Sequence, residues 1–190
     1  MGTGFDTSLA QVAAECLECD PDDFVVYGGD TDVSPYDSGS YASSTAYLTG
    51  MAVVKACRNL REKIVDKAAQ YLECSPDELE FDGRMVRRLG KEGSADAAAQ
   101  LREISLKDIA NRAMCFNEDA LQVTVSHTSP VSPPPFMAGA AAGAVDPATG
   151  RVDLLPLAAA LAGGTPLNLH LARRHTGAGP ARGIRTGPLR

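Results

Sequence analysis

The sequence predicts an α+β fold in two lobes, with mixed short sheets and one long helix. Three observations predict it. Helix-period and strand-period stretches alternate without a regular βαβ repeat. One amphipathic stretch, residues 46–73, is much longer than the others. A rigid Pro133-Pro134-Pro135 joint then divides a first lobe, 1–132, from a second, 133–190, that opens with two strand-like runs and ends in a Gly-, Pro- and Arg-rich stretch. A chain of 190 residues suits one domain or two small subdomains, and a hydrophobic content of 44% excludes wholesale disorder.

Residues 7–18 carry Leu9, Val12, Ala13, Cys16 and Leu17 at helical spacing, with Asp6, Thr7 and Ser8 as candidate caps. Pro21 ends that pattern, and Phe24–Tyr27 predicts a short buried strand. Residues 28–45, crowded with Gly, Ser, Asp and Thr, predict a long polar loop, a class that is uncommon in compact domains and often functional. The long helix follows, with Val53, Cys57, Leu60, Ile64, Ala68 and Tyr71 as its inward stripe. Strands around Leu79–Phe81 and Met85–Leu89 are joined at Asp82-Gly83, a favoured hairpin turn. Ser105 caps a helix over 105–115 with Leu106, Ile109 and Met114 inward, and Leu121–Ser126 alternates as a strand. Beyond the joint, Phe136–Val145 and Arg151–Leu155 flank a Pro- and Gly-bearing turn and predict a β-hairpin. The tail from Gly163 reads as a linker or a disordered arm.

Charge is segregated along the chain. Residues 1–54 hold nine acids and no Lys or Arg, whereas residues 154–190 hold Arg173, Arg174, Arg182, Arg185 and Arg190 and no acid. A net charge of −6 and a pI near 5.0 argue against general nucleic-acid binding, which needs clustered cations. No apolar run is long enough for a membrane span, and the N-terminus lacks the basic and apolar regions of a signal peptide, so a cytoplasmic protein is expected. One alternative function follows from charge alone: a non-catalytic interaction module that docks a partner through its acidic N-terminal half and basic C-terminal arm.

The catalytic inventory is thin. Cys16 and Cys19 form a CxxC on an apolar helix face, where ordinary core thiols are the plainer reading. His127, His170 and His175 stand far apart in sequence, and Asp30-Thr31-Asp32 lacks the glycine and closing glutamate of a calcium loop. Two backbone features carry more. Gly2-Thr3-Gly4 precedes a helix N-terminus, where free N–H groups and the positive dipole end attract anions. Ser38-Gly39-Ser40-Tyr41-Ala42-Ser43-Ser44-Thr45 puts five Ser and Thr hydroxyls beside a glycine where the long helix begins. Alone, the second reads as a Ser-rich turn with an N-cap. Together they suggest one anionic ligand held by neutral donors, which accounts for an N-terminal third free of cations.

These residues carry a resemblance. Gly2-Thr3-Gly4, Thr7, Gln11, Gly29-Asp30-Thr31-Asp32, Pro35, Asp37, Gly39 and Ala42-Ser43-Ser44 occur in an order similar to that of the molybdenum-binding large subunit of the xanthine dehydrogenase and aldehyde oxidase family. Gly50, Ala52 and Ala56 on the long helix fit as well, as does Val145–Val152 (VDPATGRV) at a later hairpin turn. The resemblance implies a two-lobed fragment of a molybdopterin-binding domain in an oxidoreductase that hydroxylates N-heterocycles or aldehydes with oxygen from water. It implies a molybdenum–pyranopterin cofactor, as molybdopterin or its cytosine dinucleotide form. The partners it implies are the rest of the large subunit and the [2Fe–2S] and FAD domains or subunits that carry electrons away. By the same resemblance Gly2, Thr3 and Gly4 contact the pterin and its phosphate. Ser40, Ala42, Ser43, Ser44 and Thr45 surround the molybdenum end, with the Ala42 backbone near the metal.

Departures from the family pattern shape a further expectation. Met1 matches an internal methionine of the family, and the glutamate that serves as base lies beyond Arg190. His175, Gly177 and Arg182 stand where the family has glutamine, glutamate and glutamine. No residue of this stretch is therefore expected to be catalytic, and the chain alone is expected to be inactive, as from a truncated or decayed reading frame.

Overall fold

The computed structural model describes residues 4–37, 39–41, 44–89, 102–131 and 133–186, without the side chains of 184–186. Its contacts divide the chain into two compact units, Leu9–Ser129 on the one hand and Pro130–Arg190 with Met1–Ser8 on the other.

The Leu9–Ser129 unit is built on a three-stranded antiparallel sheet of β1 (Leu79–Phe81), β2 (Met85–Arg88) and β3 (Glu103–Ser105), in the order β1-β2-β3. Phe81 pairs with Val86, and Val86 with Ile104. These three residues send their side chains into one core with Ala13 and Leu17 of α1 (Phe5–Leu17), Cys57, Ile64, Ala68 and Leu72 of α2 (Gly50–Leu72), and Ile109 of α3 (Leu106–Cys115). The inward stripe expected for the long helix is the one observed, with Val53, Leu60 and Tyr71 partly buried against the core. In α3 the third inward position falls to Ala113, one turn after Ile109, and Met114 is 75% exposed. Ser105 caps α3 by accepting from the Asp108 amide at 3.0 Å, and it also closes β3, a strand the sequence pattern did not predict. α1 starts at Phe5, ahead of the candidate caps, and the Ser8 hydroxyl donates back to the Gly4 carbonyl at 3.2 Å.

The Asp82-Gly83 turn locks sheet to helix. Gly83 has φ +88°, and a Cβ there would meet the Glu18 carbonyl oxygen at 2.2 Å, so the turn lies directly on the C-terminal end of α1. Arg61 of α2 joins the same corner. It donates to Glu18 Oε1 and to the Phe81 carbonyl, each at 2.8 Å, and stacks 5.5 Å above the Phe81 ring.

Two predicted strands are absent. Phe24–Tyr27 has no ladder partner and leaves Val25 and Tyr27 more than 70% exposed. Leu121–Ser126 does keep a period of two, with Leu121, Val123, Val125, His127 and Ser129 less exposed than the residues between them. Its partner is a helix instead of a sheet. Glu118 receives hydrogen bonds from Lys67 and Tyr71, Lys63 donates to the Gln122 carbonyl at 3.3 Å, and Tyr47 shares a 3.2 Å hydrogen bond with Ser129. Residues 118–129 thus run antiparallel to residues 47–71. At about 3.3 Å per extended residue and about 1.5 Å per helical residue, both stretches span about 36 Å, so the pairings agree in reach. The Lys67 and Tyr71 hydrogen bonds hold the Glu118 carboxyl below its ordinary range. A depressed acid stabilises the fold above its unfolded value, and that contribution is lost as pH falls through the folded value. Glu118→Gln is therefore expected to lower the melting temperature at pH 7, with the gap to wild type closing in acid; an equal gap at pH 7 and pH 3 would contradict it.

In the other unit, β4 (Phe136–Val145) and β5 (Val152–Ala162) form the expected hairpin, although β5 runs seven residues past the predicted Leu155. The register shifts between Ala141 and Gly143, opposite Leu155-Pro156, where a missing proline N–H costs no ladder bond. Asp146 organises the turn, accepting from the Ala148 amide at 2.9 Å and the Thr149 hydroxyl at 2.6 Å. Every residue of both strands is exposed, including Phe136, Met137, Leu155, Leu157 and Leu161. Part of the tail predicted as a linker or disordered arm is helical as α4 (Leu169–Thr186). Asn168 caps it by accepting from the Leu171 amide at 3.0 Å, which offsets part of the cost of three interior glycines and Pro180.

Candidate functional site

The polar loop ahead of the long helix is shaped by its own short side chains. The Asp30 carboxylate accepts from the Asp32 amide at 2.9 Å, its carbonyl accepts from Ser34, and the Ser34 hydroxyl reaches back to the Tyr27 carbonyl at 3.3 Å. Asp37 Oδ1 accepts from the Gly39 amide at 2.6 Å. Gly39 sits at φ +104°, a region that side chains disfavour, with open space where a Cβ would be. The chain then enters a five-residue π-helical turn, Thr45–Thr49, before α2 begins at Gly50. The predicted helix thus starts with one wider turn, a feature that is rare and frequent at functional sites.

Ser40, Ser44 and Thr45 come together around that entry. The Ser40 and Thr45 hydroxyls are hydrogen-bonded to each other, and the Ser44 hydroxyl donates to the Tyr41 carbonyl at 2.6 Å. Ser44 does not cap the turn with its side chain, contrary to the plain N-cap reading. Three hydroxyls spend two of their hydrogens inside the loop. One hydrogen and most of the oxygen lone pairs remain for a ligand.

Gly4 belongs to the other unit. It has φ +68°, its carbonyl accepts the first amide bond of α1 from Ser8 at 3.1 Å, and a Cβ there would lie 2.7 Å from Leu171 of α4. Gly2, Thr3, Ala42 and Ser43, the other predicted site residues, lie outside the described residues.

Cys16 and Cys19 pack against the core beside Cys57, whose thiol is pushed up to about 11 by burial, with the neighbouring Cys16 and Cys19 adding to it. All are free thiols. Among the described residues no group of three or more His, Cys, Asp or Glu is placed to hold a metal, and no helix is long and apolar enough to cross a membrane. The sequence reading missed Tyr47 and Ser129. His127 Nδ1 is buried without a hydrogen-bond partner, two residues before Ser129. The alternation of residues 121–129 was the available signal, but a two-residue period does not say whether a sheet or a helix covers it.

Comparison with known proteins gives a consistent result. A family profile described as the molybdopterin cofactor-binding domain matches residues 1–184. The chain is 38% identical over 173 residues to a probable hypoxanthine oxidase, XdhD, of Escherichia coli, covering 90% of this chain and 17% of that protein. It is 32% identical over 104 residues to the carbon monoxide dehydrogenase large chain of Afipia carboxidovorans, covering 55% of this chain and 12% of that one. Among solved structures it matches reconstituted CO dehydrogenase from Oligotropha carboxidovorans with a TM-score of 0.69 and 26% identity, over 91% of this chain and 21% of that chain.

Proposed function

The chain belongs to the molybdopterin cofactor-binding domain family, and from that premise we propose that it is the cofactor-cradling piece of a molybdenum hydroxylase large subunit. The hydroxyl-lined entry to α2 carries this reading. A pyranopterin presents ring N–H and carbonyl edges, a phosphate and an oxygen-rich metal end, all of which hydrogen-bond to neutral hydroxyls and backbone amides. Ser40, Ser44 and Thr45 offer that chemistry at one place, and the open Gly39 backbone lets a ligand approach. These residues fit the group.

In this proposal Ser40, Ala42, Ser43, Ser44 and Thr45 would surround the molybdenum end, with the Ala42 backbone near the metal, and Gly2, Thr3 and Gly4 would contact the pterin and its phosphate. When bound, the cofactor supplies two-electron oxidation: a substrate C–H bond breaks, a C–O bond to water-derived oxygen forms, and two protons leave. Iron–sulfur and flavin partners take the two electrons. The substrates are N-heterocycles or aldehydes. The protein's own residues bind and orient the group. As the family resemblance implies, we place the proton-accepting base elsewhere in the large subunit and expect this chain alone to be inactive. The rest of that subunit is also the partner that covers the β4–β5 hairpin, since an isolated two-stranded hairpin is marginal in water.

Acid treatment of the chain, purified from a host that makes the cofactor, is expected to release an oxidised, fluorescent pterin. The same preparation is expected to leave purines and aldehydes unoxidised with an artificial electron acceptor. Absence of pterin would contradict the binding role, and turnover would contradict the placement of the base.

A further inference from the structure

We propose that Tyr47 is a positioning residue for the hydroxyl-lined loop, held in register by Ser129 at the end of the 118–129 strap; the consequence for cofactor binding rests on the function proposed above. Tyr47 stands at the middle of the Thr45–Thr49 turn, two residues after Thr45 and three after Ser44. Its hydroxyl bonds Ser129, 82 residues away in sequence, at 3.2 Å. The strap is fixed further along α2 by Lys63 and by the Lys67–Glu118–Tyr71 cluster, so Ser129 presents an anchored partner to the turn.

Anchoring matters here because a π turn trades ordinary i to i+4 bonds for wider ones. The Gly50 amide reaches the Thr45 carbonyl five residues back and shares it with that of Tyr47, while the Leu48 amide at the start of the turn keeps the ordinary bond to the Ser44 carbonyl at 2.7 Å. A slip to regular helix would rotate Ser44 and Thr45 relative to Ser40 and separate the hydroxyl pair. Tyr47–Ser129 opposes that slip from outside the loop. It acts through Ser44 and Thr45 and need not touch the ligand.

Amide hydrogen exchange on the full chain tests this without any cofactor. One neutral hydrogen bond is worth about 1 kcal/mol, so Tyr47→Phe and Ser129→Ala are each expected to speed exchange of the Leu48 and Gly50 amides about fivefold, and the double variant by no more. Ile64 and Ala68 amides, buried in the core, should speed by no more than that fivefold, and the urea midpoint should fall by no more than a fivefold change in the unfolding constant requires. Unchanged Leu48 and Gly50 protection in Tyr47→Phe would overturn the inference, as would multiplicative effects in the double variant. Chains purified from the cofactor-making host are expected to hold about fivefold less pterin in either single variant. A wild-type chain that holds none would overturn the proposed function, and the exchange comparison would still decide the role of Tyr47.

Discussion

Replacing Gly83 with alanine is expected to cost the Leu9–Ser129 unit about 3 kcal/mol or more of stability, from backbone strain and steric overlap together. Gly83 holds a left-handed φ of +88°, and the added methyl would sit 2.2 Å from the Glu18 carbonyl oxygen and 2.7 Å from that of Leu17. Both neighbours are backbone, so neither can turn aside as a flexible side chain would. To relieve the overlap the hairpin must lift from α1, and the same corner holds the Arg61 bonds to Glu18 and Phe81. Gly39 makes a useful contrast, with a φ of +104° and nothing within 4 Å. Gly39→Ala is expected to change stability by about 1 kcal/mol or less, because the exposed loop can adjust. Urea unfolding followed by helical circular dichroism measures both. A loss below about 1 kcal/mol for Gly83→Ala would contradict the close packing of turn on helix.

Removing all three described hydroxyls, as Ser40→Ala, Ser44→Ala and Thr45→Val together, is expected to weaken pterin retention about a hundredfold, at about 1 kcal/mol for each hydrogen bond lost. Ser40 and its neighbours Tyr41 and Asp37 lie in an exposed loop, so the urea midpoint is expected to stay near that of the wild type. The hydroxyls serve both as ligand partners and as the ties that shape the loop, through Ser40–Thr45 and Ser44–Tyr41. Retention equal to wild type in the triple variant would remove the loop from the binding site. The effect is larger than for Tyr47→Phe because that variant leaves every hydroxyl of the loop in place.

The core was largely legible in the sequence. Cys57, Ile64 and Ala68 repeat at helical spacing, and Asp82-Gly83 marked the turn of a hairpin, in which Phe81 pairs with Val86. The errors share a physical origin. Phe24–Tyr27 and Leu121–Ser126 have strand-like composition, but a strand needs a partner edge, and local sequence does not encode one. β3 was hidden because Glu103–Ser105 is three residues long and runs straight into the cap of α3. The tail's glycines and Pro180 argued against helix, while the Asn168 cap and the packing of Leu171 on Gly4 were local and long-range terms that composition does not register. For the site, hydroxyl content and the glycine marked the loop. The π turn and its tie to Ser129 were invisible, because an 82-residue separation leaves no local pattern.

The central claim is that this stretch by itself provides a seat for the molybdenum cofactor, and molybdenum content per purified chain tests it most directly. Mass-spectrometric metal analysis of chain from a cofactor-producing host is expected to approach about one molybdenum per chain and to fall to background in a host that makes no pyranopterin. Background molybdenum in both hosts, in protein whose Leu9–Ser129 unit unfolds cooperatively, would contradict it.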